Sequence, residues 1–586
     1  MKRIILLVLL LSAPALFAQT SAASAADVQA LKDALAAQQQ QIQKLTEQVQ
    51  LLLQNARQTQ AAAADAANKA AAAQTQASQQ QQSVSELKGD VAELKTSVSN
   101  AAPAAQEVQQ TGPTTELEGP LTIRFKGLSI TPGGFVAAET VRRSKALGAD
   151  VSTPFNSLPL PGASQSKESE FFGSARQSRP TVYLLGHLKS AELSGYVSGD
   201  FLSSGVTSTS TQTDGYTLRL RQAWGQARFN NGWSFLGGQM WSLVTENQRG
   251  IRPSDDAGKT NDARPRTIDA GYNVGFSFAR QYGLRVTKNF GDKIWLAAAI
   301  ENPEATATLH NNADNFLLGE AGDGKSYNSS GTYSFNPSPD IIAKAAFDPG
   351  FGHYEVFGLY DRFADRVFPC GDVGATTHCD GSAAAGSNVL GAYNSAKNGG
   401  GFGANARWNF DHKHIVFGLH GFGGSGVGRY GAGSLSDVTV NANGTLALIR
   451  GYQGLSTLEW HGTKLDLYAY GGAEYASRTA TETDPVTGKE VGYGNPLFVN
   501  SGCYTETLPG AGTGFTPGTL ANCVGDTRAL IEGTFGFWYR LYNGPAGRVQ
   551  FGGQYSYLTR NTWSGVGGAP RSIDNMVLTS FRYYLP

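Results

Sequence analysis

The run Ser572-Ile-Asp-Asn-Met-Val-Leu-Thr-Ser-Phe-Arg-Tyr-Tyr-Leu-Pro586 closes the chain, and its reading decides the fold. Val577, Thr579, Phe581, Tyr583 and Leu585 recur at every second position, with Ser580, Arg582 and Tyr584 between them. A period of two gives a strand one face for an apolar medium and one for a polar medium. At the C-terminal end of an exported chain, that pattern marks the closing strand of an outer-membrane barrel. Pro586 departs from the phenylalanine on which such chains commonly stop.

The other end of the chain agrees with export. Lys2 and Arg3 precede the apolar run Ile4 to Leu11, and small residues follow around Ala18 to Ala23. Residues 1–23 therefore read as a signal peptide, too short to stay in a bilayer as a helix. No later stretch approaches the roughly 20 continuous apolar residues of a transmembrane helix. A membrane-spanning chain without helices must be a closed barrel, because lipid offers its backbone no hydrogen-bond partners. The 72 glycines, 29 phenylalanines and 23 tyrosines suit short strands with aromatic girdles. Charged residues make up 16%, below the roughly 25% of soluble domains. The 47 basic and 47 acidic residues cancel, which argues against a nucleic-acid partner.

Ahead of the barrel, residues 24–100 read as a coiled-coil stalk. One heptad register runs from Val28 to Val98, with Leu31, Leu45, Leu52, Leu87 and Leu94 at d. At 1.5 Å per residue such a helix reaches on the order of 100 Å. Its middle seam is alanine and glutamine, so its stability depends on association of the barrels it precedes. A single amphipathic helix or a disordered Gln/Ala tether is the alternative, and the a and d identities leave the oligomer number open. Residues 101–120 read as a Pro- and Gly-punctuated linker.

From 121 to 586 the chain reads as an all-β transmembrane barrel of about 16 antiparallel strands. The spacing predicts strands at 123–142, 174–187, 190–202, 215–229, 232–241, 273–288, 293–301, 338–348, 351–362, 399–410, 413–422, 446–460, 463–473, 527–541, 546–558 and 574–585. Joints alternate between short ones, such as Leu188–Lys189 and Asn230–Asn231, and long ones, such as 242–272 and 474–526. Short periplasmic turns alternating with long outer loops are the barrel pattern. The four cysteines allow three pairings. Cys370–Cys379 and Cys503–Cys523 are favoured because each couple lies within one predicted loop and the compartment is oxidising.

Within strands the two faces separate. Val549, Phe551, Tyr555 and Tyr557 share one face, and Gln550, Gln554 and Ser556 the other. Leu218 and Leu220 point one way, Arg219 and Arg221 the other. An arginine facing lipid at mid-depth costs roughly 2–4 kcal/mol, so these arginines belong in the lumen. At sixteen strands the expected interior is a polar, water-filled channel.

The run Phe172-Gly-Ser-Ala-Arg-Gln-Ser-Arg179 is similar to an early-strand motif of DcaP-like trimeric outer-membrane porins. Leu218-Arg-Leu-Arg-Gln-Ala-Trp224 with Gly237-Gly-Gln-Met-Trp241 resembles the hairpin that follows it there. The likeness extends to a stalk ahead of a barrel, while motif-level similarity stays within 172–242. It implies a homotrimer, a periplasmic stalk, and passage of small anions such as dicarboxylates. Carried over residue by residue, it marks Arg176, Ser178, Arg179, Arg219 and Arg221 as channel-lining. Strand parity adds Arg124, Lys126 and Arg285. Arginine suits the task, being permanently charged and shaped for bidentate carboxylate contacts. Arg176 and Arg179 differ in parity, so both reach the lumen only where the strand bends or one lies at the rim.

The joint 242–272 is the candidate constriction loop, carrying Arg249, Arg252, Lys259, Arg264 and Arg266 against Glu246, Asp255, Asp256, Asp262 and Asp269. Folded inward, it sets a transverse field across the pore; otherwise it is a solvated outer loop. Gly319-Glu-Ala-Gly-Asp-Gly-Lys-Ser326 fits the phosphate-loop pattern without the strand and helix its chemistry needs. His412 and His414 read as a polar turn rather than a metal site. No Ser/His, H-E-x-x-H or G-x-S-x-G arrangement points to an enzyme, and no cofactor is implied. Three readings follow: an anion-preferring porin, a phosphate- or carbohydrate-selective porin, and a structural tether joining the outer membrane to peptidoglycan.

Overall fold

A computed structural model describes residues 121–202, 215–254, 261–310, 316–317, 336–370, 389–485, 488–509 and 517–586. The signal peptide, stalk, linker and Gly319–Ser326 lie outside them. So do Cys379, Asp255, Asp256 and Lys259.

Sixteen antiparallel strands form a closed barrel. They are β1 (Leu128–Arg143), β2 in two pieces (Glu170–Ser174 and Arg179–His187), β3 (Ala191–Asp200), β4 (Arg219–Phe229) and β5 (Trp233–Trp241). Next come β6 (Arg280–Phe290), β7 (Ile294–Glu301), β8 (Asp340–Phe347), β9 (Gly352–Val367), β10 (Tyr393–Phe410) and β11 (Ile415–Ser425). The last five are β12 (Arg450–His461), β13 (Leu465–Ala476), β14 (Thr527–Gly544), β15 (Gly547–Thr562) and β16 (Arg571–Tyr584). Each pairs with its sequence neighbours, and β16 returns to β1 in the register Phe135↔Tyr584 to Arg143↔Met576. Buried Glu139 and Arg582 lock that seam at 2.7 Å, with Ser580 donating to Glu139 at 2.8 Å.

The closing strand shows why alternation builds this wall. Val577 and Phe581 are half exposed on the outer face, whereas Met576, Leu578, Ser580 and Arg582 are buried inside. The wall is uneven in height: β7 and β8 have 8 residues each, while β9 has 16 and β10 has 18.

Two departures from the sequence reading have local causes. β2 breaks at 175–178, where the amide of Ala137 donates to Ser178 Oγ at 3.0 Å instead of to a strand carbonyl. Opposite the break, Gly134 adopts φ +121°, and a Cβ there would lie 1.9 Å from the Arg179 carbonyl oxygen. This break lets Arg176 and Arg179, of opposite parity, both face away from lipid. The second departure is 273–279, expected as the start of a strand. Val274 and Phe276 are buried in an apolar cluster inside the barrel, and β6 begins only at Arg280.

That cluster corrects the expectation of a purely polar lumen. Inward wall residues Leu455, Tyr468, Leu530, Leu558 and Leu578 pack against Val151, Phe155, Leu158, Ile268, Val274 and Leu435 from the loops. A sixteen-stranded wall is too wide for its own side chains to fill, and the loops fill part of it instead. Cys503 and Cys523 form a disulfide in the loop between β13 and β14. Gly162 of the loop between β1 and β2 donates to the Cys503 carbonyl at 2.6 Å, tying the two loops together.

Candidate functional site

Between β5 and β6, residues 242–254 and 261–279 fold into the barrel and are held by the wall on several sides. Leu243 N–H donates to Glu301 on β7 at 2.7 Å. Lys344 on β8 donates to the Thr245 carbonyl at 2.8 Å, and Arg407 on β10 to Glu246 at 2.9 Å. The amide of Asn247 meets Glu355 on β9 at 3.1 Å. Further on, Arg266 pairs with Glu459 on β12 at 3.1 Å, and Ile268 N–H donates to Gln554 on β15 at 2.5 Å. The return limb is gripped by buried carboxylates. Val274 N–H donates to Glu532 on β14 at 2.9 Å and Gly275 N–H to Glu474 on β13 at 2.8 Å. Gly275 has φ +87°, and a Cβ there would lie 2.1 Å from the Gly454 carbonyl oxygen, so only glycine lets the loop approach the wall this closely.

The described residues of the joint 242–272 lie inside the barrel and do not form a solvated outer loop. The inward fold also gathers arginine. Arg179 on β2, Arg221 on β4, Arg280 on β6 and Arg264 on the loop surround the phenol of Tyr272. Arg264 donates to Tyr272 Oη at 3.4 Å and pairs with Asp262. Arg219 and Arg221 share buried Asp200, the former at 2.7 Å. Arg280 lies over the Trp241 ring at 5.2 Å and Arg179 over Phe135 at 5.3 Å. Among the described residues, five guanidiniums thus meet two carboxylates, Asp200 and Asp262, an excess of positive charge beside the inward loop. Tyr272 belongs to the loop, not to a spanning strand. Burial pushes its phenol up, but Arg264, Arg221, Arg179 and Arg280 together pull it down to about 7.

Below this cluster a cavity of about 240 Å³ continues the arginine lining with Arg266, Arg548 and Arg582, faced by Asp262, Asp269 and Asp466. Arg264 and Arg266 also border a second cavity of about 650 Å³ on the side of the short turns. Arg249 lies between that cavity and a third of about 510 Å³. The loop therefore partitions the turn-side lumen.

Of the residues marked from sequence, Arg179, Arg219 and Arg221 converge here. Arg176 sits one tier nearer the long loops, 3.0 Å from Asp150 and stacked 4.5 Å from the Tyr216 ring. Ser178 caps the break in β2. Arg285 is buried behind the loop, donating to the Trp241 carbonyl at 2.8 Å. Arg124 and Lys126 belong to a small hairpin formed by Ile123–Phe125 on β1, away from the cluster. His412 and His414 lie on an exposed turn, and the described residues contain no metal-binding group. Arg280, Tyr272, Arg548 and Arg582 were not marked. The parity of Arg548 with Gln550 on β15, and of Arg582 with Ser580 on β16, was a usable signal; the two others depend on the loop's path.

Closed, sixteen-stranded, short-turned at one end and partly filled by an inward loop, the chain has the architecture of a β-barrel whose outer face is apolar. Its fold is similar to that of the outer membrane channel DcaP of Acinetobacter baumannii, with TM-score 0.52 and 14% identity over 79% of this chain and 99% of that one. The anion-selective porin from Comamonas acidovorans matches with TM-score 0.39 and 9% identity, covering 78% of this chain and 100% of that one. The trimer form of Vibrio cholerae OmpT matches with TM-score 0.38 and 10% identity, over 78% and 100%. No family model matches the sequence, and no curated protein does.

Proposed function

We propose that this chain is an outer-membrane porin through which small hydrophilic solutes diffuse passively, with preference for anions such as dicarboxylates. The observation that carries the reading is the excess of guanidinium over carboxylate where the inward loop meets β2, β4 and β6. Fixed positive charge in a narrow, partly desolvated passage raises the local concentration of anions, and competing carboxylates keep binding weak enough for release. A carbohydrate path would call for stacked aromatic rings along the lumen, and the arginine track favours anions over sugars. The homotrimer, the periplasmic stalk of residues 24–100 and its attachment to peptidoglycan belong to the same proposal.

The test is conductance of the purified protein in a planar bilayer under a salt gradient. Stepwise conductance with a reversal potential favouring anions supports it. Cation preference sinks the anion proposal and keeps the porin. No conductance from a folded barrel makes the structural tether the better reading.

A pH dependence should accompany selectivity. Below about pH 7 Tyr272 is neutral and the guanidiniums keep their full charge; above it the phenolate cancels one of them. Anion preference is therefore expected to fall between pH 6 and pH 8. Tyr272→Phe should flatten that profile while leaving the acid-side preference intact, and an unchanged profile in the variant would remove Tyr272 from the account.

A further inference from the structure

Just below the break in β2, one row of directly paired residues crosses four adjacent strands of the wall. Arg179 on β2 pairs with Phe135 on β1, Phe135 with Tyr584 on β16, and Tyr584 with Arg548 on β15. The row reads guanidinium, ring, ring, guanidinium, and all four side chains line the cavity of about 240 Å³ beside the inward loop. Trp538 on β14 and Arg582 on β16 extend the same lining.

A guanidinium lies over each of these wall rings. Arg179 stands 5.3 Å from Phe135 and Arg548 4.2 Å from Tyr584, while Arg582 lies over both Phe135, at 5.0 Å, and Trp538, at 4.7 Å. The Nε–H groups of Arg179 and Arg548 are buried without a hydrogen-bond acceptor among the described residues. An unpaired buried donor is costly, so both call for an acceptor in the cavity. The cavity's own carboxylates are already engaged: Asp262 by Arg264, Asp269 by the Gly271 amide and Asp466 by Arg540.

A group of the fitting chemistry already stands at the site. Tyr272 brings an oxygen carried on an aromatic ring to Arg264 and Arg179, and it borders the same cavity. We propose that this cavity binds aromatic carboxylates of the benzoate type, the carboxylate on the guanidiniums of the row and the ring against Phe135, Trp538 and Tyr584. Carboxylate takes guanidinium bidentately, and offset or edge contacts between rings add to their burial. An aliphatic dicarboxylate uses the arginines and leaves the rings idle, and a sugar needs open ring faces that the guanidiniums partly cover. A cavity of about 150 Å³ already admits benzene, so one ring with its carboxylate has room here. The inference rests on the reading of the chain as an anion-passing porin and adds to it the solute class that is held longest.

The experiment measures the chloride current of the full-length protein in a planar bilayer while benzoate, cyclohexanecarboxylate or succinate is added. Benzoate is expected to halve the current at about one tenth of the concentration needed of cyclohexanecarboxylate, which matches it in charge and nearly in bulk, or of succinate. Trp538→Leu should bring benzoate and cyclohexanecarboxylate to parity, and Arg548→Gln should weaken both together. Each ratio is taken within one variant, so changes in overall conductance cancel. Parity of the acids in wild type, which needs no variant to fold, overturns the proposal. So does a conducting Trp538→Leu channel that keeps the full margin. The reversal potential of the same channels separates the failures. Anion preference with parity sinks the aromatic site alone, and cation preference with the margin intact sinks the anion reading alone. A folded barrel that passes no current sinks both.

Discussion

Replacing Arg179 and Arg264 together by glutamine is expected to lower the anion-over-cation permeability ratio about tenfold. Both guanidiniums face the Tyr272 phenol and line the cavity beneath the inward loop. A unit charge about 5 Å from a passing ion is worth roughly 0.8 kcal/mol even in bulk water, so removing two weakens anion attraction by about 1.6 kcal/mol. That corresponds to about one order of magnitude. Glutamine keeps polar bulk at both positions, so conductance should change far less than selectivity. Reversal potentials across a tenfold chloride gradient decide the matter, and an unmoved potential would show that selection is made elsewhere along the lumen.

A second large effect is expected where the inward loop is gripped. Glu474 accepts from Gly275 N–H at 2.8 Å and from Gly433 N–H at 3.0 Å, while Glu532 accepts from Val274 N–H at 2.9 Å. Hydrogen bonds of this kind contribute about 0.5–1.5 kcal/mol each, and a buried amide left without a partner costs about 1–3 kcal/mol. With Glu474→Ala and Glu532→Ala combined, those amides recover partners only by moving to water, which takes the return limb of the loop with them. Single-channel conductance should then rise several-fold, with larger fluctuations. The Glu→Gln pair, which retains an acceptor oxygen, should remain close to wild type. If the alanine pair folds and conducts like wild type, the loop is held by its apolar packing and not by these carboxylates.

Much of the wall was legible because lipid imposes alternation directly on sequence. Val549, Phe551, Tyr555 and Tyr557 face outward as their parity requires, and the strand at 293–301 differs from Ile294–Glu301 by one residue at its start. Where lipid is absent, alternation loses its meaning. Val274, Phe276 and Phe278 alternate like a strand, yet they serve the loop's apolar packing inside the barrel. The extra height of β10, which begins at Tyr393 and not at 399, was missed because Asn394, Lys397 and Asn398 lie beyond the apolar pattern that marks a strand.

The site was legible in half. Arg219 and Arg221 could be placed in the lumen from the cost of facing lipid, but their shared partner Asp200 comes from the neighbouring strand. Tyr272 became a functional candidate only through convergence of β2, β4, β6 and the loop. Arg285 was right in parity and has a different task, because the structure puts the loop between it and the lumen. Parity tells inside from outside; it does not tell water from a folded-in loop.

The seam between β1 and β16 carries a consequence for assembly. Glu139 must wait for Ser580 and Arg582, more than 440 positions later in the chain. Contacts of such separation form slowly, because a long loop must close before they contribute anything. The barrel therefore cannot shut until the last strand has been delivered, and until then β1 presents an unpaired edge open to foreign strands. Exposure of that edge therefore lasts for as long as the C-terminal strand is still to come, and it ends in one step when β16 pairs with β1.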